Sequence, residues 1–291
     1  MAMQATISQP VSVSGNGLHS GSEVNLKLIP GAVGRGIQFR RTDLEDFVVE
    51  AHAGNIAKVS YATSLMKRGV FISTTEHLLS ALMGCGVDNV SAEIDNLELP
   101  ILDGSAQPYI EMLDAAGLRT QRRPRQAICV VEPLELEEDG KFIGVYPGDG
   151  YHLHYEINFP HPAIEKQSFD LELTPANYRR ELAPARTFGF LRDVEAMRRQ
   201  GLIRGGGMDN AVVLDDRRVV NGPLRFDDEF VRHKMLDLIG DLALLGLPLQ
   251  GRVVANKAGH ALHTALVRRL LREKSHWKLV ETAPHELAAA V

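Results

Sequence analysis

The stretch DEFVRHKMLDLIGDLALLGLPL, residues 228–249, is the most apolar part of the chain and decides what must pack around it. Apolar side chains recur on nearly every side of a helix drawn over it, so the helix should be buried. Its apolar part, Met235 to Leu249, is interrupted by Asp237 and Asp241 and is shorter than the roughly 20 residues that cross a bilayer. The stretch therefore predicts a buried helix beginning near Asp228, not a membrane anchor.

The polar residues of this helix share one sector. At about 100° per residue, His233, Lys234, Asp237 and Asp241 fall within about 100° of one another. With no solvated face left for them, they should line a cleft or meet a partner. A His and an Asp four residues apart can bind one divalent metal, with Asp241 supporting them from one turn further along. Polar pairs at this spacing are also common on ordinary helices, so a solvent-facing edge stays an alternative.

Glu76 and His77 are adjacent at the start of another predicted helix. One side chain of such a pair could bind a metal while its neighbour handles a proton. Ser73 and Glu76, however, have the spacing of a capping box, in which Glu76 would only bind the backbone amide of Ser73. From these residues alone, the capping box is slightly favoured.

Two histidines, His260 and His263, follow Gly259 at a predicted helix start. Either could be a metal ligand or an acid or base, although a lone histidine more often has a structural role. The glycine run 205–207 is followed by Met208 and not by Lys-Ser/Thr, so it predicts a turn and not a phosphate loop.

The composition is that of an ordinary globular protein. Hydrophobic residues make up 44% and charged residues 24% of the 291, which excludes a disordered or low-complexity chain. The 32 basic and 37 acidic residues give a net charge of −5 without a basic run, so a nucleic-acid partner is not expected. Without a secretion signal, and with only Cys85 and Cys129 as cysteines, we expect a cytoplasmic protein without a disulfide framework.

The order of the predicted elements favours an α+β fold in two domains, because each half has strands first and helices later. The basic, Pro-containing stretch 118–126 resembles a linker, and we divide the chain into domains 1–121 and 122–291. A β-hairpin is predicted near the N-terminus, whereas residues 43–69 show no clear pattern. Helices are predicted over Glu76–Met83, Tyr109–Ala116, 175–182, Leu191–Gln200 and Ala261–Glu273.

Several long segments resemble one family. They are GLHSG (17–21), STTEHL (73–78), LPILDGS (99–105), ARTFGF (185–190), RFDDEFVRHKMLD (225–237) and GHAL (259–262). In this order they are similar to the UDP-3-O-acyl-N-acetylglucosamine deacetylases, the zinc amidohydrolases of lipid A biosynthesis. The resemblance runs across nearly the whole chain, and it implies two domains, each a two-layer α+β sandwich, with the active site between them.

Carried over position by position, the resemblance makes His77, His233 and Asp237 the ligands of a Zn²⁺ ion. It makes Glu76 the general base, which reverses the preference for a capping box. It also makes His260 a cationic group or general acid held by Asp241.

The resemblance further implies that Thr187 and Lys234 contact the reacting carbonyl and the nearby substrate, whereas it gives His263 no role. The substrate that the resemblance implies is an acylated UDP-GlcNAc, and we expect a monomer. An acyl passage is implied in a helix-containing insert near 190–212. The implied substrate-binding residues are Leu18, Lys141, Phe188, Phe190, Val194, Ile203 and Ala211.

The predicted helix over 191–200 and the residue before it carry an apolar stripe that can be interpreted in two ways. Phe190, Val194 and Met197 recur on one narrow stripe, with charged residues elsewhere. Spacing alone favours a stripe that packs into the core, whereas the resemblance favours a passage for an acyl chain.

Other functions stay open on the residues alone. Two His and one carboxylate also form the facial triad of non-haem Fe(II) oxygenases, and a sugar-nucleotide-binding protein could hold a structural metal. Glu76 beside a ligand favours hydrolysis, in which a metal-bound water attacks the acetamide carbonyl. The sequence does not decide whether Glu76 or His260 protonates the leaving amine.

Overall fold

The computed structural model describes residues 1–57 and 61–282. In the first part of the chain the helices are Glu76–Gly84 (α1) and Gln107–Ala116 (α2). The strands are Met3–Ile7 (β1), Val11–Asn16 (β2), Glu23–Pro30 (β3), Ile37–Arg41 (β4), Phe47–Glu50 (β5), Leu65–Lys67 (β6), Val70–Ile72 (β7), Val90–Ile94 (β8) and Leu118–Pro124 (β9).

The second part is also mixed. Its helices are Pro175–Asn177 (α3), Leu191–Arg199 (α4), Glu229–Leu242 (α5) and His260–Arg272 (α6). Its strands are Gln126–Val130 (β10), Leu134–Glu138 (β11), Lys141–Tyr146 (β12), Tyr151–Phe159 (β13), Glu165–Glu172 (β14), Phe188–Phe190 (β15), Val212–Leu214 (β16), Leu249–Asn256 (β17) and Trp277–Glu281 (β18). The structure is 27% helical and 37% strand, which confirms the predicted α+β class.

Two larger sheets carry the helices. One has the strand order β2-β3-β8-β4-β5, with β4 and β8 parallel. The other has the order β11-β12-β17-β10-β18, and its strand β17 also pairs with β13, which pairs with β14. Smaller pairs are β1-β9, β6-β7 and β15-β16.

The predicted N-terminal hairpin is confirmed as β2 and β3, which pair antiparallel. In β3 the buried residues Val24, Leu26 and Leu28 alternate with exposed polar residues, as expected for a strand with one face on the core. Thr6 and Ile7, which belong to the same alternating stretch, lie instead in β1.

The linker predicted at residues 118–126 is not one. Most of it is the strand β9, which pairs antiparallel with β1, and β10 starts immediately after it. Arginines and a proline do not prevent a strand whose side chains are largely exposed, so a composition typical of linkers was misleading here. The division into domains 1–121 and 122–291 stays a prediction, and residues 283–291 of it lie outside the described part.

Helices α1 and α5 pack against each other and are buried along almost their whole lengths. Gly240 allows this close approach, since a Cβ atom there would lie 2.0 Å from the carbonyl oxygen of Glu76. The first turn of α1 therefore lies directly against α5. This contact brings Glu76 and His77 to the polar stripe of the buried helix.

The other predicted helices are confirmed to within two residues at either end, except the one over 175–182. That segment begins as α3 and continues as a π-helical turn over Tyr178–Leu182. Residues 43–69, which showed no pattern, hold β5, β6 and short 3₁₀ turns at Thr42–Leu44 and Ala53–Asn55. Within the described residues, no helix is long and apolar enough to cross a membrane.

Candidate metal centre and active site

His77, His233 and Asp237 lie together where α1 crosses α5. The Nε2 atoms of His77 and His233 are 3.6 and 3.3 Å from Oδ1 of Asp237. All three residues are buried, and their potential ligand atoms lie within 4.8 Å of one another. Two helices thus supply a compact group of two imidazoles and a carboxylate.

The protonation states of His233 and Asp237 are those that metal binding requires. Burial lowers the pKa of His233 to about 3, so its ring is neutral. Because His233 Nδ1 lies 3.1 Å from the carbonyl oxygen of Ala185 and donates to it, the lone pair of Nε2 faces His77 and Asp237. Burial would raise the pKa of Asp237, but the charged Lys234 ammonium holds it well below its usual range.

The two oxygens of the Asp237 carboxylate have different neighbours. Oδ1 faces the two histidines, while Oδ2 accepts a hydrogen bond of 2.8 Å from Lys234 Nζ. Burial would lower the pKa of Lys234, but the Asp237 carboxylate raises it, so the ammonium keeps its charge. Two imidazoles and one carboxylate are a donor set that could hold a metal ion with an open position.

Glu76 does not form the capping box that its spacing with Ser73 suggested. The helix begins at Glu76 itself, and no side chain caps it. Glu76 Oε2 instead accepts a hydrogen bond of 3.0 Å from the backbone N–H of Thr63, and Oε1 lies 3.9 Å from His260 Nε2. Burial raises the pKa of Glu76. A buried carboxylate beside the three ligands is suited to proton transfer.

Asp241 is held by three donors, one on the loop that carries Thr63 and two on α6. Thr63 Oγ1 donates to Oδ1, while Nδ1 of His260 and Nδ1 of His263 both donate to Oδ2, each at 2.8 Å. Burial would raise the pKa of Asp241, but the two histidines lower it. Burial would lower the pKa of His260, but the Asp241 carboxylate outweighs this effect and raises the pKa to about 9. His260 is therefore a cation near neutral pH.

Asp241, His260 and His263 also have ligand atoms close enough for a metal. The hydrogen bonds described above account for that proximity, because both imidazole nitrogens nearest the carboxylate act as donors to it. The distances therefore support a group of three hydrogen-bonded residues and not a second metal centre.

The predicted contact residue Thr187 lies just before β15, in a segment held by α5 and by a loop. Its neighbour Arg186 donates through its backbone N–H, 2.9 Å, and through Nε, 2.8 Å, to the buried carboxylate of Glu229 at the start of α5. The backbone N–H of Thr187 donates to the Gly104 carbonyl at 2.8 Å. The segment that carries Thr187 is thus joined directly to the start of the helix that carries His233.

A cavity of about 700 Å³ opens over these residues and takes its walls from both halves of the chain. Most of the predicted site residues line it, and they are Leu18, Glu76, His77, Thr187, Phe188, Phe190, Val194, Ile203, Ala211, His233, Lys234, Asp237 and His260. Two do not line it. Asp241 lies behind His260, and Lys141 is exposed at the start of β12. The structure thus does not bring Lys141 to this cavity.

The stripe on α4 does not pack into the core. No residue of α4 is buried, and Val194 and Met197 instead line the cavity. Below them, Phe188 lies edge-to-face with Phe159 at a centroid distance of 5.6 Å. The core interpretation, which spacing alone favoured, is therefore wrong for this helix.

Three residues of the site were not identified from the sequence. Thr63 lies in the segment that showed no pattern, and His263 had been left without a role. His19 lies within the GLHSG motif, lines the cavity and has both ring nitrogens buried without a partner among the described residues. The signal for His19 was its place in the GLHSG motif, and in the structure its backbone is held by Glu98, which accepts from the N–H groups of His19 and Ser20.

The chain is similar to known proteins of one family. The family model described as UDP-3-O-acyl N-acetylglycosamine deacetylase matches residues 4–272. The matched range includes α1, α5 and α6.

Three similar proteins are each named UDP-3-O-acyl-N-acetylglucosamine deacetylase. One from Solibacter usitatus (strain Ellin6076) is 47% identical over 281 residues, 96% of this chain and 95% of its own length. One from Myxococcus xanthus (strain DK1622) is 43% identical, covering 98% of this chain and 91% of its own. One from Syntrophus aciditrophicus (strain SB) is 41% identical, covering 95% and 89%. The chain therefore belongs to the UDP-3-O-acyl N-acetylglycosamine deacetylase family.

Proposed function

We propose that this protein is a zinc-dependent amide hydrolase of lipid A biosynthesis. It removes the N-acetyl group from UDP-3-O-(3-hydroxyacyl)-N-acetylglucosamine and releases acetate. The observation that carries the proposal is the buried group of His77, His233 and Asp237 with the Glu76 carboxylate beside it.

His77, His233 and Asp237 would hold the zinc ion, with Lys234 neutralising the second oxygen of the carboxylate. When bound, Zn²⁺ would lower the pKa of a coordinated water to about 7 and polarise a carbonyl oxygen. Two neutral imidazoles and one carboxylate leave it an open position. A closed structural site would need a fourth protein ligand.

Glu76 takes the proton of the attacking water. Its Oε2 is fixed by the Thr63 N–H, which leaves Oε1 free on the side of His260. Because burial raises its pKa, Glu76 is a better base than an exposed carboxylate and can give the proton up again.

The remaining groups stabilise charge and complete the proton balance. The Thr187 hydroxyl, on the cavity wall, donates to the oxygen that becomes negative when the amide carbonyl is attacked. The leaving glucosamine nitrogen must gain one proton as the carbon–nitrogen bond breaks. The proton comes either from Glu76, returned after the attack, or from cationic His260.

The cavity also suits the substrate. Leu18, Phe190, Val194, Ile203 and Ala211 give it an apolar wall, along which an acyl chain would bury its methylene groups. Lys141 lies away from the cavity wall and is given no part in this proposal. The enzyme acts as a cytoplasmic monomer, which light scattering and cell fractionation can check.

The test is acetate release from UDP-3-O-acyl-GlcNAc, measured without oxygen and compared with unacylated UDP-GlcNAc. We expect hydrolysis of the acylated substrate at a much higher catalytic efficiency. A requirement for oxygen would instead indicate an oxygenase. Binding of the nucleotide sugar without any turnover would indicate a binding protein, and either result would overturn the proposal.

A further inference from the structure

His263 is the buried residue that the proposed chemistry leaves without a task. Its side chain is 1% exposed, and both ring nitrogens have partners. Nδ1 lies 2.8 Å from Asp241 Oδ2, and Nε2 lies 3.0 Å from the hydroxyl oxygen of Tyr155. Tyr155 is itself buried in β13. The imidazole is thus fixed from both sides, between a strand and the helix that carries the metal ligands.

The hydrogen bonds define which nitrogen of His263 carries the proton. Burial lowers the pKa of His263, so the ring is neutral and has one N–H. Asp241 is ionised and can only accept, so that N–H is on Nδ1. The Tyr155 hydroxyl donates to the carbonyl oxygen of Ala258 at 2.8 Å, and its oxygen also lies 3.0 Å from Nε2 of His263. Asp241 thus selects the form of His263 that donates to it, while Tyr155 packs against the opposite ring nitrogen.

The donor from His263 acts on the same oxygen as the donor from His260. Both Nδ1 atoms lie 2.8 Å from Oδ2 of Asp241, whereas Thr63 holds Oδ1. The position of Asp241 Oδ2 sets the orientation of the His260 ring, because His260 Nδ1 donates to it. It therefore also sets the position of His260 Nε2, which lies 3.9 Å from Glu76 Oε1.

We propose that His263 is a positioning residue, which fixes the Asp241 carboxylate through Nδ1 and thereby holds the His260 ring in its orientation toward the reacting groups. This rests on the proposed function only in giving His260 a part in proton transfer. Tyr155 supports it from the opposite nitrogen. Without the His263 donor, Oδ2 is held by His260 alone, and the two groups can rotate together.

Two polar substitutions of His263 distinguish its hydrogen-bonding role from a contribution to core packing. The amide of His263→Asn can occupy the place of Nδ1 and still donate to Asp241, whereas that of His263→Gln reaches the place of Nε2 and the Tyr155 hydroxyl. His263→Leu removes both contacts. Leu266→Ala, fully buried one turn further along α6, is the control for lost packing without a lost hydrogen bond.

We expect His263→Leu and His263→Gln of the zinc-loaded protein to lose about 10- to 100-fold in kcat with KM nearly unchanged, since misplaced groups cost rate more than binding. His263→Asn should stay within about threefold of the unaltered protein by the same argument. Leu266→Ala should lower the melting temperature and keep kcat. If His263→Leu does not fold, the contrast between Asn and Gln still decides the matter.

A second readout does not depend on turnover. In protein labelled with ¹⁵N-histidine, the Nδ1–H proton of His260 should be protected from exchange in the unaltered protein and in His263→Asn. In His263→Gln this protection should be lost. Equal kcat and equal protection in the Asn and Gln variants would overturn the proposal. If the unaltered protein released no acetate, the proposed function would fail, while the exchange experiment would still judge the role of His263.

Discussion

Asp237 and Asp241 lie one turn apart on α5, and their neighbours give them different tasks. Asp237 shares its charge between two imidazoles and the Lys234 ammonium. Asp241 receives only hydrogen-bond donors, from Thr63 and two histidines, and is fully buried. The first can therefore hold a metal ion together with His77 and His233, as we propose. The second is the counter-charge that keeps His260 protonated.

The role of Glu76 is tested by Glu76→Gln. The amide keeps the size of the side chain and can still accept from the Thr63 N–H, but it cannot take a proton. Turnover should fall by roughly 10² to 10⁴. The free energy of unfolding, from urea denaturation, should change little. Retained turnover with a loss of about 1 kcal/mol of stability would be the behaviour of a helix cap and would contradict the assignment.

The pH dependence of kcat/KM tests His260. The rate should rise as Glu76 loses its proton, above that group's ordinary pKa of 4.5, and fall as His260 loses its own near pH 9. Because the folded-state pKa of His260 exceeds its ordinary 6.5, its contribution to stability is present below that value and is lost as the pH rises through about 9. His260→Ala should remove or shift the alkaline limb. An unchanged limb would rule out a role for protonated His260.

The sequence predicted site residues that share one helix better than contacts between residues on different elements. His233, Asp237 and Asp241 were found because helical spacing places them on one face. The Glu76 pattern was ambiguous from spacing alone, because a capping box uses the same two residue types. Thr63 gave no local signal and His263 no definite role, since the contact of each with Asp241 joins residues 178 and 22 positions apart in sequence.

At the scale of elements, the contact between α1 and α5 depends on Gly240. In Gly240→Ala, the new Cβ atom would need to displace the Glu76 backbone, so we expect a destabilisation of roughly 1–3 kcal/mol from overpacking. Weaker zinc binding should accompany it, since His77 moves with α1.

Chemical denaturation and a zinc competition assay measure these two effects. Gly148→Ala is the control, because a Cβ atom there meets its neighbours only at 3.7 Å. Normal stability and zinc affinity in Gly240→Ala would show that the two helices can separate without consequence for the metal centre.

Helix α4 tests the acyl-binding part of the proposal. Val194→Asp places a charge on the cavity wall, where a long acyl chain would bury methylene groups worth about 0.8 kcal/mol each. The catalytic efficiency for long-chain substrates should fall much more than that for short-chain ones. Steady-state kinetics over a series of acyl lengths measure this. An equal loss for every length, together with a lower melting temperature, would show that the chain binds elsewhere.

Elements were predicted well where the apolar pattern matches the burial, as in β3, which has one buried face, and α5, which is buried almost throughout. The strand β9 was missed for the opposite reason. Most of its side chains are exposed, so arginines and a proline are tolerated there and no alternating pattern forms. Likewise, the stripe on α4 has the spacing of a core-facing helix, and only the fold reveals that a cavity lies beneath it.

At the scale of the whole molecule, the centre depends on contacts that join distant parts of the chain. The first turn of α1 supplies Glu76 and His77, α5 supplies His233 and Asp237, and the start of α6 supplies His260. The core of apolar side chains that holds these elements is extensive. The fold should therefore persist without a metal, unlike that of a small zinc domain.

The most direct test is to remove the metal with a chelator and to measure acetate release, zinc content and circular dichroism on the same sample. We predict that acetate release stops while the spectrum stays the same. Added zinc should restore activity in proportion, up to one ion per chain, and excess zinc should inhibit by binding the groups that handle the proton. Full acetate release from a protein shown to be free of metal would contradict the metal centre at His77, His233 and Asp237.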